Sequence, residues 1–299
     1  MTMLSRRDLS IRIAAFTAVP LLEGKATCAT VRGPKLLQIR KGSSAVSILG
    51  FGEAQDHSWF SPNVRAAFDA SDELWLETVP PFMAAPLSEA AQHKIDDLRY
   101  TDGKTFFDWL TPDVRARAEQ RIANLEIAQA DIEHLRPWAA YYLIMGTYYR
   151  RHPQAETKYV DEFLAKRAVD KHKKINFELP SYEAFVERTA QLSPAVQSQY
   201  ISWLLAFLDD QDKSLKELNP YDWVTGEGSK MTRSLQRMIA MPQLYDAMQT
   251  RRNDWWAHKI VELLSNGGQY FIGIGRLHII GPASIPNRLR AMGVKVEEI

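Results

Sequence analysis

The sequence predicts an α+β fold: a central mixed sheet built from strands at both ends of the chain, covered by a large helical insert over residues ~82–260. Three observations predict it. Short β-like runs cluster before Pro80 and after Gly268. The stretch between them repeats its apolar residues at helical spacing. No linker, low-complexity tract or simple repeat separates the parts, so the two ends should meet in one sheet.

The elements follow in order. Leu36 to Arg40 alternates apolar and polar residues, Lys41 to Ser44 is a turn, and Ala45 to Phe51 is a second strand, so the pair reads as a hairpin. A loop with Asp56, His57, Ser58 and Pro62 follows, then a helix from Asn63 to Ser71. Glu73 to Val79 is a buried strand stopped by Pro80-Pro81. Asp113 to Gln129 places Val114, Ala118, Ile122 and Leu125 on one helical face. Pro137 to Met145 is apolar enough for a core helix, Tyr159 to Lys171 is another helix, and Lys174 to Glu178 is a short strand. Tyr182 to Asp210 and Met231 to Leu264 read as helices, interrupted by Asn219-Pro220, Gly226 and Pro242. Gln269 to Ile274 is an apolar strand, Gly275 to His278 a turn, and Ile285 to Met292 a short helix capped by Gly293. Val294 to Ile299 alternates as a last strand.

The N-terminus reads as an address. Arg6-Arg7 precede a short apolar run, Ile13 to Leu22, and small residues up to Ala29 offer a cleavage point. This pattern matches a twin-arginine export signal over residues 1–29 and implies a periplasmic or secreted mature protein. The run is too short to span a bilayer, which takes ~20 apolar residues. Cys28, the one cysteine, lies inside that segment, so no internal disulfide forms.

Net charge is +1 for the chain, and loss of residues 1–29 removes four basic and two acidic side chains to leave −1. A near-neutral protein without a basic stripe has no broad electrostatic claim on nucleic acid or anionic lipid. The expected partner is a small-molecule or peptide substrate, with no nucleic acid and no membrane after signal removal. No Gly-x-Ser-x-Gly elbow or dinucleotide fingerprint appears, and no Cys-x-x-Cys-His haem motif exists.

Several segments recur in one order: Ile48 to Gln55, Ser71 to Glu77, Arg136-Pro137-Trp138, Val160-Asp161, Phe177-Glu178, Arg252-Asn253-Asp254-Trp255, and Phe271 to Gly281. Together they resemble the TraB/GumN family, which includes the Tiki metalloproteases, and more distantly the erythromycin esterase and ChaN-like proteins. The resemblance covers residues 36–299. It implies a hydrolase of a peptide, amide or ester bond that depends on a divalent metal (Mn, Zn or Fe). The family's proposed site joins two Gly-x-x-His motifs and a glutamate. By resemblance, the second motif is Gly275 to His278 and the glutamate is Glu77.

The chemistry is reasonable on its own terms. Each of these residues lies just past the end of an expected strand, where α/β sites gather. Imidazole with carboxylate suits Mn²⁺, Zn²⁺ or Fe²⁺, and a bound metal activates water and polarises a carbonyl. The first motif departs from the family: Gly50-Phe51-Gly52-Glu53 and Gly52-Glu53-Ala54-Gln55 both lack the histidine. Glu53 is the expected replacement ligand beside Glu77 and His278, with His57 as a further ligand or base. Arg252 is expected to orient substrate or the site's carboxylates. Glu77 also reads as half of a structural ion pair with Arg252 or Arg276, and Glu178 and Asp161 as buried pairing residues. The missing histidine leaves a second reading open, a binding or regulatory protein on a degenerate enzyme scaffold.

Overall fold

The computed structural model describes residues 34–299 apart from 53, 55, 81–82, 84–98, 153–158, 182–183, 185–187, 189–190, 218–222 and 224–228. The expected export signal over residues 1–29 lies outside the described residues.

Six strands form one mixed sheet: β1 (Leu36–Lys41), β2 (Ser44–Phe51), β3 (Glu73–Thr78), β4 (Lys174–Leu179), β5 (Gln269–Gly275) and β6 (Glu297–Glu298), in the order β4-β3-β5-β2-β1-β6. β1 and β2 pair antiparallel through a two-residue turn, with Gly42 at φ +60, a conformation a side chain resists. β2, β5, β3 and β4 run parallel. Parallel neighbours need crossovers, and the helices supply them. Lys174 to Leu179 is therefore an edge strand of this sheet although it is embedded in the helical insert.

Alternate strand residues divide the core in two. Leu36, Leu49, Leu74, Leu76 and Phe271 share one face with Val64 and Phe68 of α1 (Pro62–Ala70). The same face takes Leu164, Ala165 and Ala168 of an 11-residue helix spanning Val160–Asp170. Ser61 caps α1, its Oγ accepting from the Val64 N–H at 3.4 Å, and Pro62 starts the helix where its missing donor costs nothing.

The opposite face carries Ile39, Val46, Ile48, Ile272 and Ile274. It packs against Trp256, Ala257, Ile260, Leu263 and Leu264 of the helix Arg251–Asn266, and against Ile285 and Leu289 of the helix Ile285–Ala291. Since Leu74 and Leu76 face α1, the alternate residues Trp75 and Glu77 face the helix Arg251–Asn266.

The remaining helices build a third, separate core. In chain order they are α2 (Pro112–Asn124), α3 (Gln129–Ile132), α4 (Pro137–Arg151), α6 (Pro194–Glu217), α7 (Ser229–Ile239) and α8 (Pro242–Tyr245). The helix Val160–Asp170 is α5, Arg251–Asn266 is α9 and Ile285–Ala291 is α10. Trp138, Tyr141, Ile144 and Tyr148 of α4 interlock with Tyr200, Leu204 and Leu208 of α6. This lobe sits over the carboxyl ends of the parallel strands, where β5, β3 and β2 leave their last residues. Among the described residues no helix is long and apolar enough to cross a membrane.

Candidate active site

The parallel register of β3 and β4 pairs Leu76 with Phe177 and Thr78 with Leu179, so Glu77 and Glu178 stand side by side on one face. Two adjacent carboxylates repel unless a cation lies between them. Arg252, in the first turn of α9, supplies it. Its Nη2 donates to Glu77 Oε2 at 2.6 Å and to Glu178 Oε2 at 2.5 Å, and its Nε donates to Glu178 Oε1 at 2.8 Å. Trp256 Nε1 donates to Glu178 Oε2 at 2.8 Å and Arg188 Nη1 to Oε1 at 2.5 Å. Every lone pair of the buried Glu178 carboxylate is thus used.

Glu77 is held differently. The Gly275 N–H donates to its Oε1. A Cβ at residue 275 would lie 2.9 Å from that oxygen, so only glycine lets the carboxylate come so close to β5. Burial by itself raises the Glu77 carboxyl. The Arg252 charge, then His278 and the Gly275 N–H, outweigh burial and hold it well below the usual carboxylate range. Burial likewise opposes ionisation of Glu178, and the Arg252 hydrogen bonds and charge win there too. Arg252 loses hydration, but the two carboxylates fix its charge more firmly than in water.

His278 completes the group. It is 3% exposed, in the 3-10 turn Arg276–His278 directly after β5. Asn253 Nδ2 donates to Ala283 O at 2.8 Å, which turns Asn253 Oδ1 toward His278 Nδ1 at 2.5 Å. This network assigns the proton of the ring to Nδ1, which donates to Asn253. Nε2 faces Glu77 Oε2, 3.4 Å away. A proton on Nε2, or a cation held by both groups, satisfies the pair.

Glu77 and His278 open onto a cavity of about 210 Å³. Phe51, Gly275, Arg276 and Leu277 form its sheet side, and Tyr200, Trp203, Met238, Met248 and Gln249 form the lobe side. Tyr200 is stacked on Tyr141 with ring centroids 4.1 Å apart, and burial raises both phenols, so they stay neutral. The walls are apolar and the floor is charged, the usual construction of a small-molecule site.

Of the residues the sequence singled out, Glu77, His278 and Arg252 come together here. Glu178 is the buried ion-pair partner it was expected to be. Glu53 lies outside the described residues, two positions beyond Phe51, which pairs with Gly275. His57 is exposed and packs on Phe163 of α5 with centroids 4.3 Å apart; it is not among the described residues lining the cavity. Asp56 is exposed and accepts the Ser58 N–H at 2.8 Å. Tyr200, Trp203 and Gln249 carry no signal in the sequence. Asn253 stands beside Arg252 in the segment Arg252 to Trp255 that carries the resemblance, but the sequence does not show that it would hold His278.

A scan against family models matches residues 36–298 to the TraB/PrgY/gumN family. The chain belongs to that family. No curated protein and no solved structure matches it significantly. In this TraB/PrgY/gumN chain both the glycine and the histidine of the Gly275 to His278 turn touch Glu77.

The donor set admits a divalent ion in part. Glu77 Oε2 and His278 Nε2 converge, and Asn253 holds the second ring nitrogen as a partner outside the coordination sphere commonly does. Among the described residues no group of three His, Cys, Asp or Glu side chains forms a complete metal site.

One neighbour of the site titrates near neutrality. Asp161 opens α5, and burial pushes its carboxyl up to about 6; the Glu162 N–H opposes this and the charge of Glu77 adds to it. An acid whose folded pKa exceeds its ordinary 3.8 stabilises the fold below pH ~4 and loses that contribution as pH rises through about 6. Asp161→Asn should therefore raise stability by ~2 kcal/mol at pH 8 and leave it unchanged at pH 4. Thermal melts at the two pH values check this, and an equal shift at both would contradict it.

Proposed function

We propose that this TraB/PrgY/gumN protein is exported to the periplasm or beyond and hydrolyses a peptide, amide or ester bond with the help of a divalent metal. What carries the reading is the pair of opposed Lewis bases, Glu77 Oε2 and His278 Nε2, 3.4 Å apart at the floor of a cavity at the strand ends. Glu77, His278 and Glu53 would hold the ion. When bound, it would lower the pKa of water and polarise the scissile carbonyl.

The chain's own residues do the rest. The Gly275 N–H and Arg252 fix the Glu77 carboxylate and keep it ionised through the working pH range. Asn253 fixes the imidazole so that Nε2 faces the cavity. Arg276, 4% exposed and part of the cavity wall, places a second cation where negative charge would develop on a substrate oxygen. Met238, Met248 and Trp203 exclude water from the reacting group.

Asn253→Leu tests the positioning step. The substitution frees Nδ1 and lets the ring turn, and loss of such a partner usually costs 10–100-fold in metal affinity. Titration with Mn²⁺, Zn²⁺ and Fe²⁺ against the parent protein measures the change. Equal affinity would remove Asn253 from the account. Turnover of a peptide, amide and ester panel, restored by one of the three ions after chelation, tests the reaction. A folded protein that neither binds these ions nor turns over any panel member would favour the second reading, a binding protein on this scaffold. The absent first-motif histidine is what favours that alternative.

A further inference from the structure

Residues Asp246–Thr250 form a single π turn between α8 and α9, in which the Arg251 N–H reaches back to the Asp246 carbonyl. Such a turn adds one residue to the helical repeat and re-aims the side chains around it. Here it turns Met248 and Gln249 to the cavity while Arg252 and Asn253, immediately after it, reach the strand ends. Gln249 is 4% exposed, and its Oε1 has no hydrogen-bond partner among the described residues. Two donors on the cavity wall are turned elsewhere: Trp203 Nε1 donates to Ser234 O at 3.1 Å, and Arg276 Nη1 donates to Trp223 O at 3.2 Å. A buried acceptor left without a donor is costly, and such groups persist where a ligand completes them.

We propose that Gln249 is the specificity-determining contact of this cavity, and that the group it receives carries an amide N–H. The inference rests on the reading that the cavity is the substrate site, and it narrows the substrate class from peptide, amide or ester to peptide or carboxamide. A carboxamide tip offers an acceptor and a donor in one plane and so complements another amide. An ester of the same shape presents no donor to Oε1. The cavity, at about 210 Å³, is smaller than a drug-sized pocket, so one short amide-bearing segment enters rather than a whole large ligand. Tyr200, Trp203, Met238 and Met248 supply an apolar wall for the carbon chain beside that amide.

The test uses two probes of matched shape, N-propylpropanamide and propyl propanoate, with binding followed by ligand-observed NMR on the parent chain and Gln249→Met. The parent should bind the amide about tenfold or more tightly than the ester, the effect of one hydrogen bond to an otherwise unpaired buried acceptor. In Gln249→Met the ratio should fall to about one, and the melting temperature should rise because the orphan acceptor is gone. Turnover of the peptide, amide and ester panel by the parent separates the two claims: a parent without turnover but with the amide preference sinks the hydrolase reading and leaves this inference standing. An amide-to-ester ratio near one in the parent, no binding of either probe, or an unchanged ratio in Gln249→Met would each overturn it.

Discussion

Replacing Arg252 by leucine is expected to cost about 3–5 kcal/mol of folding stability at neutral pH, the usual consequence of stripping the partner from a buried charge. The size follows from the register. Glu77 and Glu178 are neighbours across β3 and β4, and the guanidinium makes bonds to both, with side-chain exposures of 12% for Arg252 and 1% for Glu178. Leucine removes the one cation bonded to both carboxylates, leaving Glu178 to Trp256 and the half-exposed Arg188, and Glu77 to His278 and the Gly275 N–H.

Lysine should recover only part of the loss, because one ammonium cannot reproduce the fork that reaches both oxygens of Glu178 and one of Glu77. The pH dependence has a definite sign. Both carboxyls are held below their ordinary value, so the cluster's stabilisation is present above pH ~4.5 and is lost as pH falls through their folded values. The gap between parent and Arg252→Leu should therefore narrow in acid. Urea unfolding at pH 7 and pH 4 measures it; a loss under ~1 kcal/mol at pH 7 would mean the cluster is not the keystone described here.

His278→Ala is expected to lower turnover by about 10²–10⁴-fold while the protein stays folded. The imidazole is buried on the cavity floor, and its Nε2 faces Glu77 Oε2, where the proposed ion would be held. Nothing else among the described residues brings a second nitrogen base to that place: His57 lies against Phe163. Circular dichroism and a melting curve establish that the fold survives, and kcat/KM on the best member of the panel gives the effect. Activity within a few-fold of the parent would move the chemistry away from the Gly275 to His278 motif.

Much of this architecture is legible in the sequence because period and punctuation are local. The runs Leu36 to Arg40, Ala45 to Phe51, Glu73 to Val79 and Gln269 to Ile274 fall within about a residue of β1, β2, β3 and β5, and the helices expected from Asn63 to Ser71 and from Tyr159 to Lys171 fall on α1 and α5. What is not legible is pairing. Lys174 to Glu178 reads as a short strand, yet no periodicity says that it lies beside β3 and so sets Glu178 next to Glu77. The last strand was expected from Val294 to Ile299, but only Glu297–Glu298 pair, against Leu37 and Gln38 at the sheet edge.

The helix expected from Tyr182 to Asp210 instead has its long segment at Pro194–Glu217, where Ser193 Oγ accepts the Val196 N–H at 3.4 Å as a cap. Met231 to Leu264 breaks at Pro242 and again at the π turn, and a π turn leaves no mark in apolar spacing. The site shows the same division. Glu77 and His278 carry motif context at strand ends, whereas Tyr200, Trp203 and Gln249 come from the helical segment with none. They become visible only when the lobe folds over the sheet.

The central claim is that Glu77 and His278 face each other across a cation. Elemental analysis of the protein purified without chelator, beside His278→Ala prepared in the same way, tests it most directly. The account predicts close to one Mn, Zn or Fe per chain in the parent and loss of that metal in the variant. No metal in the parent after incubation with each of the three ions, or the same metal content in both proteins, would contradict it.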